Sequence, residues 1–170
     1  REIEKLYLAY TGEKAADVVE LPSSGSNRRY FRMSDNNGKT LIGAVGTSIE
    51  ENKAFWAISK HFTSKGLPVP KVLAHDEEFM CYLQEDLGDG ILFNAVTPGR
   101  ECGKYSDQEK ALLKKTMSLL PDLQFKGADG FDFSICYPQP EFDERMISFD
   151  QNYFKYCFLK ATGLDFSEVK

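Results

Sequence analysis

"SSGSNRRYFRMSDNNGKTLIGAVG", residues 23–46, decides how this chain folds. Ser23, Ser24, Gly25, Ser26 and Asn27 are small enough to present several backbone N–H groups with little side-chain bulk in the way. The arginines directly after them can pair with phosphate. The same composition also makes a plain loop between apolar runs, and the stretch matches neither of the usual glycine-rich phosphate motifs. The residues after this loop give a clearer signal. "RRYFRMS" (28–34) has strand composition, Asn37-Gly38 is a strong hairpin signal, and "KTLIGAVG" (39–46) returns antiparallel. Period two puts Arg29, Phe31 and Met33 on one face and Arg28, Tyr30 and Arg32 on the other. The first set is mainly apolar, so it faces the interior.

Working outward, "VVEL" (18–21) adds a strand before the loop, giving a three-stranded meander. Ahead of it, Ile3, Leu6, Tyr7 and Tyr10 fall on one helical face, and Gly12 stands where a helix-ending glycine belongs. After the meander, Ser48 and Glu51 have capping-box spacing and open a helix that Gly66 closes, with Phe55, Ile58 and Phe62 along one face. "LPVPKVLAHD" leads into a strand at 71–75, and "FMCYLQED" (79–86) is another. The first 86 residues therefore predict helix, three strands, helix, two strands.

From "LGDG" (87–90) onward the pattern turns helical. "ILFNAV" is a short apolar turn of helix. Ser106 and Glu109 form a second capping box for a helix running to about Lys126, which Pro121 should kink or split. Residues 127–140 read as loop. A last helix over 141–163 carries Phe142, Met146, Phe149 and Tyr153 on one face, and its Tyr153, Phe154, Tyr156 and Phe158 read as a helix packed on several sides.

Composition narrows the function classes. Of 170 residues 42% are hydrophobic, with 13 Phe and 8 Tyr, enough for a packed core. A net charge of −5 argues against nucleic acid or an anionic membrane as partner. The basic cluster Arg28, Arg29 and Arg32 must then serve something small or local. No run approaches the roughly 20 apolar residues that span a bilayer. Cys81, Cys102, Cys136 and Cys157 are widely spaced without a C-x-x-C pair, and with only His61 and His75 beside them they read as reduced, mostly buried thiols of a cytoplasmic protein. The start at Arg1 and the end at "FSEVK" lead us to expect a fragment of a longer protein.

"SSGSNRRYFRM", "EENKAFWAISKHFTSKGLPVPKVLAHD" and "YLQEDLGD", in this order, resemble the aminoglycoside-phosphotransferase and choline-kinase-like family, and within it the bacterial anomeric amino-sugar kinases. The likeness covers roughly residues 18 to 90. It implies an α+β, protein-kinase-like fold: a small lobe over 1–86 (five-stranded antiparallel sheet plus helix), a hinge end at 87–90, and the leading helices of an all-α large lobe over 91–170. It also implies ATP and Mg²⁺ as cofactors and a small hydroxylated substrate. Residues 23–27 would lie over the ATP phosphates with Arg29 on a phosphate, and Gln84, Glu85, Asp86 and Leu87 would offer backbone groups to the adenine edge.

Two departures stand out. Many kinases of this fold have a third-strand lysine that grips the phosphates and pairs with a helix glutamate, whereas this strand has Gly43 and Ala44 there. Either the loop arginines substitute for it or phosphate gripping is weak. Glu51, the candidate helix glutamate, has a capping role that explains it without any ligand. Second, no H-x-D segment with an Asn about five residues on occurs. His75-Asp76 lacks the spacing and reads as a strand end, and His61 reads as a surface residue. Catalytic loop and metal ligands are therefore expected beyond Lys170, and the truncated helices invite self-association. A non-catalytic, kinase-like nucleotide sensor or protein-interaction module stays open as the alternative, as does an unrelated α+β regulatory domain.

Overall fold

Phe31, Met33, Leu41, Cys81 and Leu83 are buried together on one face of a sheet, and Ile3 and Tyr7 of the first helix close that core. The computed structural model describes residues 1–22, 27–165 and 167. Helix α1 (Glu2–Thr11) precedes strands β1 (Asp17–Glu20), β2 (Arg29–Ser34) and β3 (Thr40–Val45). Helix α2 (Ile49–Ser64) and strands β4 (Val72–His75) and β5 (Cys81–Glu85) complete a five-stranded antiparallel sheet in the order β1-β2-β3-β5-β4. The α+β class and the five strands are those expected from the sequence.

Register assigns the two faces. Phe31 lies opposite Gly43, which lies opposite Leu83, on the α1 side. Gly43 is glycine because α1 comes so close: a Cβ there would stand 2.5 Å from Ile3 Cγ1. On the opposite side two cross-strand rows form, Tyr30–Ala44–Tyr82 and Arg32–Ile42–Gln84. Fully burying a side chain such as Phe31 or Leu83 stabilises by roughly 1.5–3 kcal/mol, so the alternation of Phe31 and Met33 with polar residues fixes which way β2 faces.

Helix α2 differs from its sequence reading. Phe55, Ile58 and Phe62 are only half-buried, whereas Asn52 and Ser59 are buried. Both use their side chains on backbone carbonyls: Asn52 Nδ2 donates to Phe79 O at 2.7 Å, and Ser59 Oγ to Pro70 O at 2.7 Å. The helix is held to the strand ends by these bonds as well as by its apolar stripe.

Beyond β5 come α3 (Leu92–Ala95), α4 (Thr97–Cys102) and α5 (Asp107–Pro121), with a π-helical turn over Asp122–Lys126. Pro121 does not split the helix. The chain changes from α to π hydrogen bonding directly after it. Helix α4 has no counterpart in the sequence reading. Its Pro98 sits in the first turn, where a missing N–H costs little. Glu109 completes the expected capping box with Ser106 and also accepts the Gly99 N–H at 2.7 Å, joining α4 to α5. His61 is half-buried, and its Nε2 lies 2.9 Å from Gly127 O.

The chain forms two units, Arg1–Asp132 and Phe133–Lys170. The second holds α6 (Glu144–Phe154), a π-helical turn (Lys155–Leu159) and α7 (Lys160–Thr162), which Gly163 ends at φ 69°. Tyr153, Phe154, Tyr156 and Phe158 are each more than half exposed, so the several-sided packing expected of them is not found among the described residues. Of the four cysteines only Cys81 is buried, and burial pushes its thiol up to about 11, whereas Cys102 and Cys157 are exposed. No helix among the described residues is long and apolar enough to cross a membrane.

Candidate functional site

The face of the sheet away from α1 opens into a cleft of about 460 Å³. Leu21 and Pro22 border it on one side, Tyr30, Arg32 and Ile42 supply the strand face, and Gln84 to Asp89 with Ile91 and Asn94 form the other side. The side-chain oxygen of Gln84, Oε1, is buried with no hydrogen-bond partner among the described residues. An orphaned buried acceptor is costly unless something outside the chain satisfies it. An apolar slot of Leu21, Ile42, Leu87 and Ile91 around such a group suits a flat, polar-edged ring.

Beside the segment after β5, Arg32 is gripped twice. Its Nε donates to Asp86 Oδ2 at 2.6 Å and its Nη2 to Asp86 Oδ1 at 3.1 Å, while Nη2 also reaches Asp89 Oδ1 at 2.9 Å. Asp86 is nearly enclosed, its side chain 6% exposed. Burial pushes its carboxyl up, but donors from Arg32, the Gly88 N–H and Thr40 outweigh that and hold it below the ordinary range. Arg32 in turn is held above its usual range by Asp89 and Asp86. The Asp86 carboxylate thus fixes the backbone after β5 to β2. Glu85 does similar work on the α1 side, its Oε2 accepting the Lys71 N–H at 3.0 Å. Leu87 is exposed on the cleft wall.

At the other end stands Arg28. Its Nη2 lies 3.1 Å from Glu51 Oε1 and donates to Glu51 O at 3.3 Å, and its guanidinium lies 5.2 Å from the Phe55 ring centre. Phe55 stacks on Tyr82 at 5.1 Å, and Tyr82 lies opposite Ala44 on β3. Burial first, then Tyr30, raises the Tyr82 phenol above its ordinary range. The capping role foreseen for Glu51 is therefore only half of what it does. Ser48 Oγ accepts the Glu51 N–H at 3.2 Å, while the Glu51 carboxylate turns to Arg28.

Of the residues singled out from the sequence, Gln84, Asp86 and Leu87 meet in the cleft, Glu85 contributes its cleft-side edge, and Glu51 stands at the loop end. Asn27 is exposed, and Ser23, Ser24, Gly25 and Ser26 lie outside the described residues. Arg29 is not brought to this face. It lies on the α1 side with its guanidinium paired to Glu20 at 2.7 Å, which holds the Glu20 carboxyl low. Tyr30 had no role in the sequence reading, and Arg28 and Arg32 were grouped with Arg29 as a basic cluster without a place of their own. The signal was in the period-two pattern, since Phe31 and Met33 as core leave the opposite parity facing the cleft.

A larger recess of about 670 Å³ on the α1 side is a poorer fit for an anion: Glu2, Asp76, Glu77 and Glu78 line it against Arg1 and Arg29, and Arg29 is already paired. His75 ends β4 as expected and stacks on Phe79 at 3.7 Å. Among the described residues no three His, Cys, Asp or Glu side chains gather to hold a metal ion.

No family model matches the chain. It is 23% identical over 126 residues to an N-acetylmuramate/N-acetylglucosamine kinase of Pseudomonas aeruginosa. The match takes in 63% of this chain and 37% of that protein, so the chain spans well under half of its curated relative.

Proposed function

We propose that these residues are the nucleotide-binding part of an ATP- and Mg²⁺-dependent phosphotransferase that acts on a hydroxyl group of a small molecule, the anomeric hydroxyl of a hexose or amino sugar. The observation that carries this reading is the hinge cleft, with its apolar walls and the orphaned Gln84 Oε1. The distant similarity to a sugar kinase supports it.

In this reading residues 1–86 are a small lobe, 87–90 the end of its hinge, and 91–170 the leading helices of a large lobe. The nucleobase lies between Leu21, Ile42 and Leu87 with its polar edge toward Gln84 and the backbone of Glu85 to Leu87. Bound ATP supplies the phosphoryl group. What these residues contribute is position: Arg32 and Asp86 hold the hinge rigid, so that the base fixes where the phosphates lie. Neither the acceptor's base nor the metal ligands are assigned to the described residues, among which no three His, Cys, Asp or Glu side chains gather to hold a metal ion.

The test is phosphate transfer by the full-length protein from ATP to N-acetylglucosamine and N-acetylmuramic acid, followed by phosphorus NMR. An anomeric sugar phosphate is expected. ATP binding without transfer to any sugar in a broad panel would favour a second reading, a nucleotide-sensing module. The observation that favours that alternative is Ala44, which stands where a phosphate-gripping lysine is usual.

A further inference from the structure

We propose that Arg28 binds the phosphates of the nucleotide, taking over the task that a third-strand lysine performs elsewhere, with Glu51 as its orienting partner. The inference rests on the nucleotide reading above and names a residue that reading leaves open.

Three observations converge on it. The first is direction. Arg28, Tyr30 and Arg32 alternate along one face of the chain, and Tyr30 and Arg32 line the cleft. Arg32 marks the hinge end, where Asp86 and Asp89 surround it and leave a net negative charge. A nucleotide with its base at the hinge must then send its anionic end the other way along this row, toward Arg28.

The second is space. A lysine at Ala44 would enter a packed position, opposite Tyr82 on β5, which stacks on Phe55. Ala44 is fully buried. The aromatic pair stands beside that position, and the Arg28 guanidinium lies over the Phe55 ring.

The third is geometry. Glu51 comes from the first turn of α2 and meets Arg28 at 3.1 Å, so a cation–carboxylate pair between sheet and helix exists without the lysine. The Arg28 side chain is 11% exposed and Glu51's is 41% exposed. A guanidinium fixed by a carboxylate, a carbonyl and a ring has lost its freedom before any ligand arrives, and partial burial strengthens its attraction for an anion. Its planar fork is the shape that pairs with carboxylate and phosphate oxygens.

The test compares ADP with adenosine, which share the base and differ in phosphate, by calorimetry on the full-length protein. The unaltered protein should prefer ADP. Arg28→Gln should weaken ADP about ten- to hundredfold and leave adenosine nearly unchanged, the size expected for a charge-assisted contact. Equal losses for both ligands, or no loss for ADP, would overturn the assignment of Arg28 while leaving the nucleotide reading intact. If the unaltered protein binds neither ligand, the nucleotide reading itself fails and the assignment with it. Should Arg28→Gln not fold, the unaltered protein gives an independent answer: the Arg28 Nε–Hε resonance should move on addition of ADP and stay in place with adenosine. Equal movement with both, or none with ADP, would contradict the proposal.

Discussion

Arg32 holds Asp86 by two parallel hydrogen bonds, Nε to Oδ2 at 2.6 Å and Nη2 to Oδ1 at 3.1 Å. The pair connects the middle of β2 to the first residue after β5, so this wall of the cleft cannot shift without breaking it. This makes Asp86 a structural anchor for the segment that follows β5.

Asp86→Asn should cost about 1–3 kcal/mol at neutral pH, the usual size for a hydrogen-bonded charge that loses its partner's full interaction. The cost depends on pH in a defined direction. The folded-state carboxyl is held below its ordinary range, so its stabilisation is complete above the unfolded value near 3.8 and is lost as pH falls through the lower folded value. Urea melts of both proteins from pH 7 to pH 3 should show the gap closing at the acid end. A gap that widens with acidity contradicts the arrangement.

Gln84→Leu removes the orphaned acceptor from the cleft floor. It should leave stability unchanged or raise it, and should weaken ADP and adenosine alike by about two- to tenfold. That pattern is the mirror of the one expected at Arg28, and calorimetry separates them. Unaltered affinity for both ligands would mean that the base edge lies elsewhere.

Gly43→Ala places a methyl group against Ile3, with backbone fixed on both neighbouring strands. Overpacking of this kind costs about 1–3 kcal/mol. A shifted urea midpoint at constant slope is the expected result, and a neutral substitution would show that α1 is not seated as described.

Ser106→Ala removes the cap of α5 and should cost about 1 kcal/mol without changing ADP affinity. Its partner Glu109 is held below the usual carboxylate range by the Ser106 side chain and by the Ser106 and Gly99 N–H groups. That contribution, too, is present above the unfolded value and disappears as pH falls through the folded one. Thermal melts with and without ADP test both statements.

Much of the sheet was legible because its signals are local. Asn37-Gly38 forces the hairpin, and Phe31 with Met33 sets the parity of β2. The cleft was legible only in part. Gln84 to Leu87 could be named from their place after the last strand, but the choice between Arg28 and Arg29 depends on which face α1 covers, a tertiary fact. Glu51 shows the same limit. Its spacing from Ser48 matches that of Glu109 from Ser106, yet only Glu109 closes its box, because Arg28 from a distant part of the chain draws the Glu51 carboxylate away. Helix α4 escaped reading because Pro98 and Gly99 look like loop residues, and only the packing of Gly99 against Tyr105 and Glu109 explains them.

Hydrogen–deuterium exchange of the full-length protein with and without saturating ADP tests the central claim most directly. If a nucleotide occupies the hinge cleft, peptides covering residues 82–91 and 28–33 should exchange more slowly with ADP, while those covering Glu77 and Glu78 should not change. No protection at the hinge, or protection confined to the acidic recess beside α1, would contradict the account.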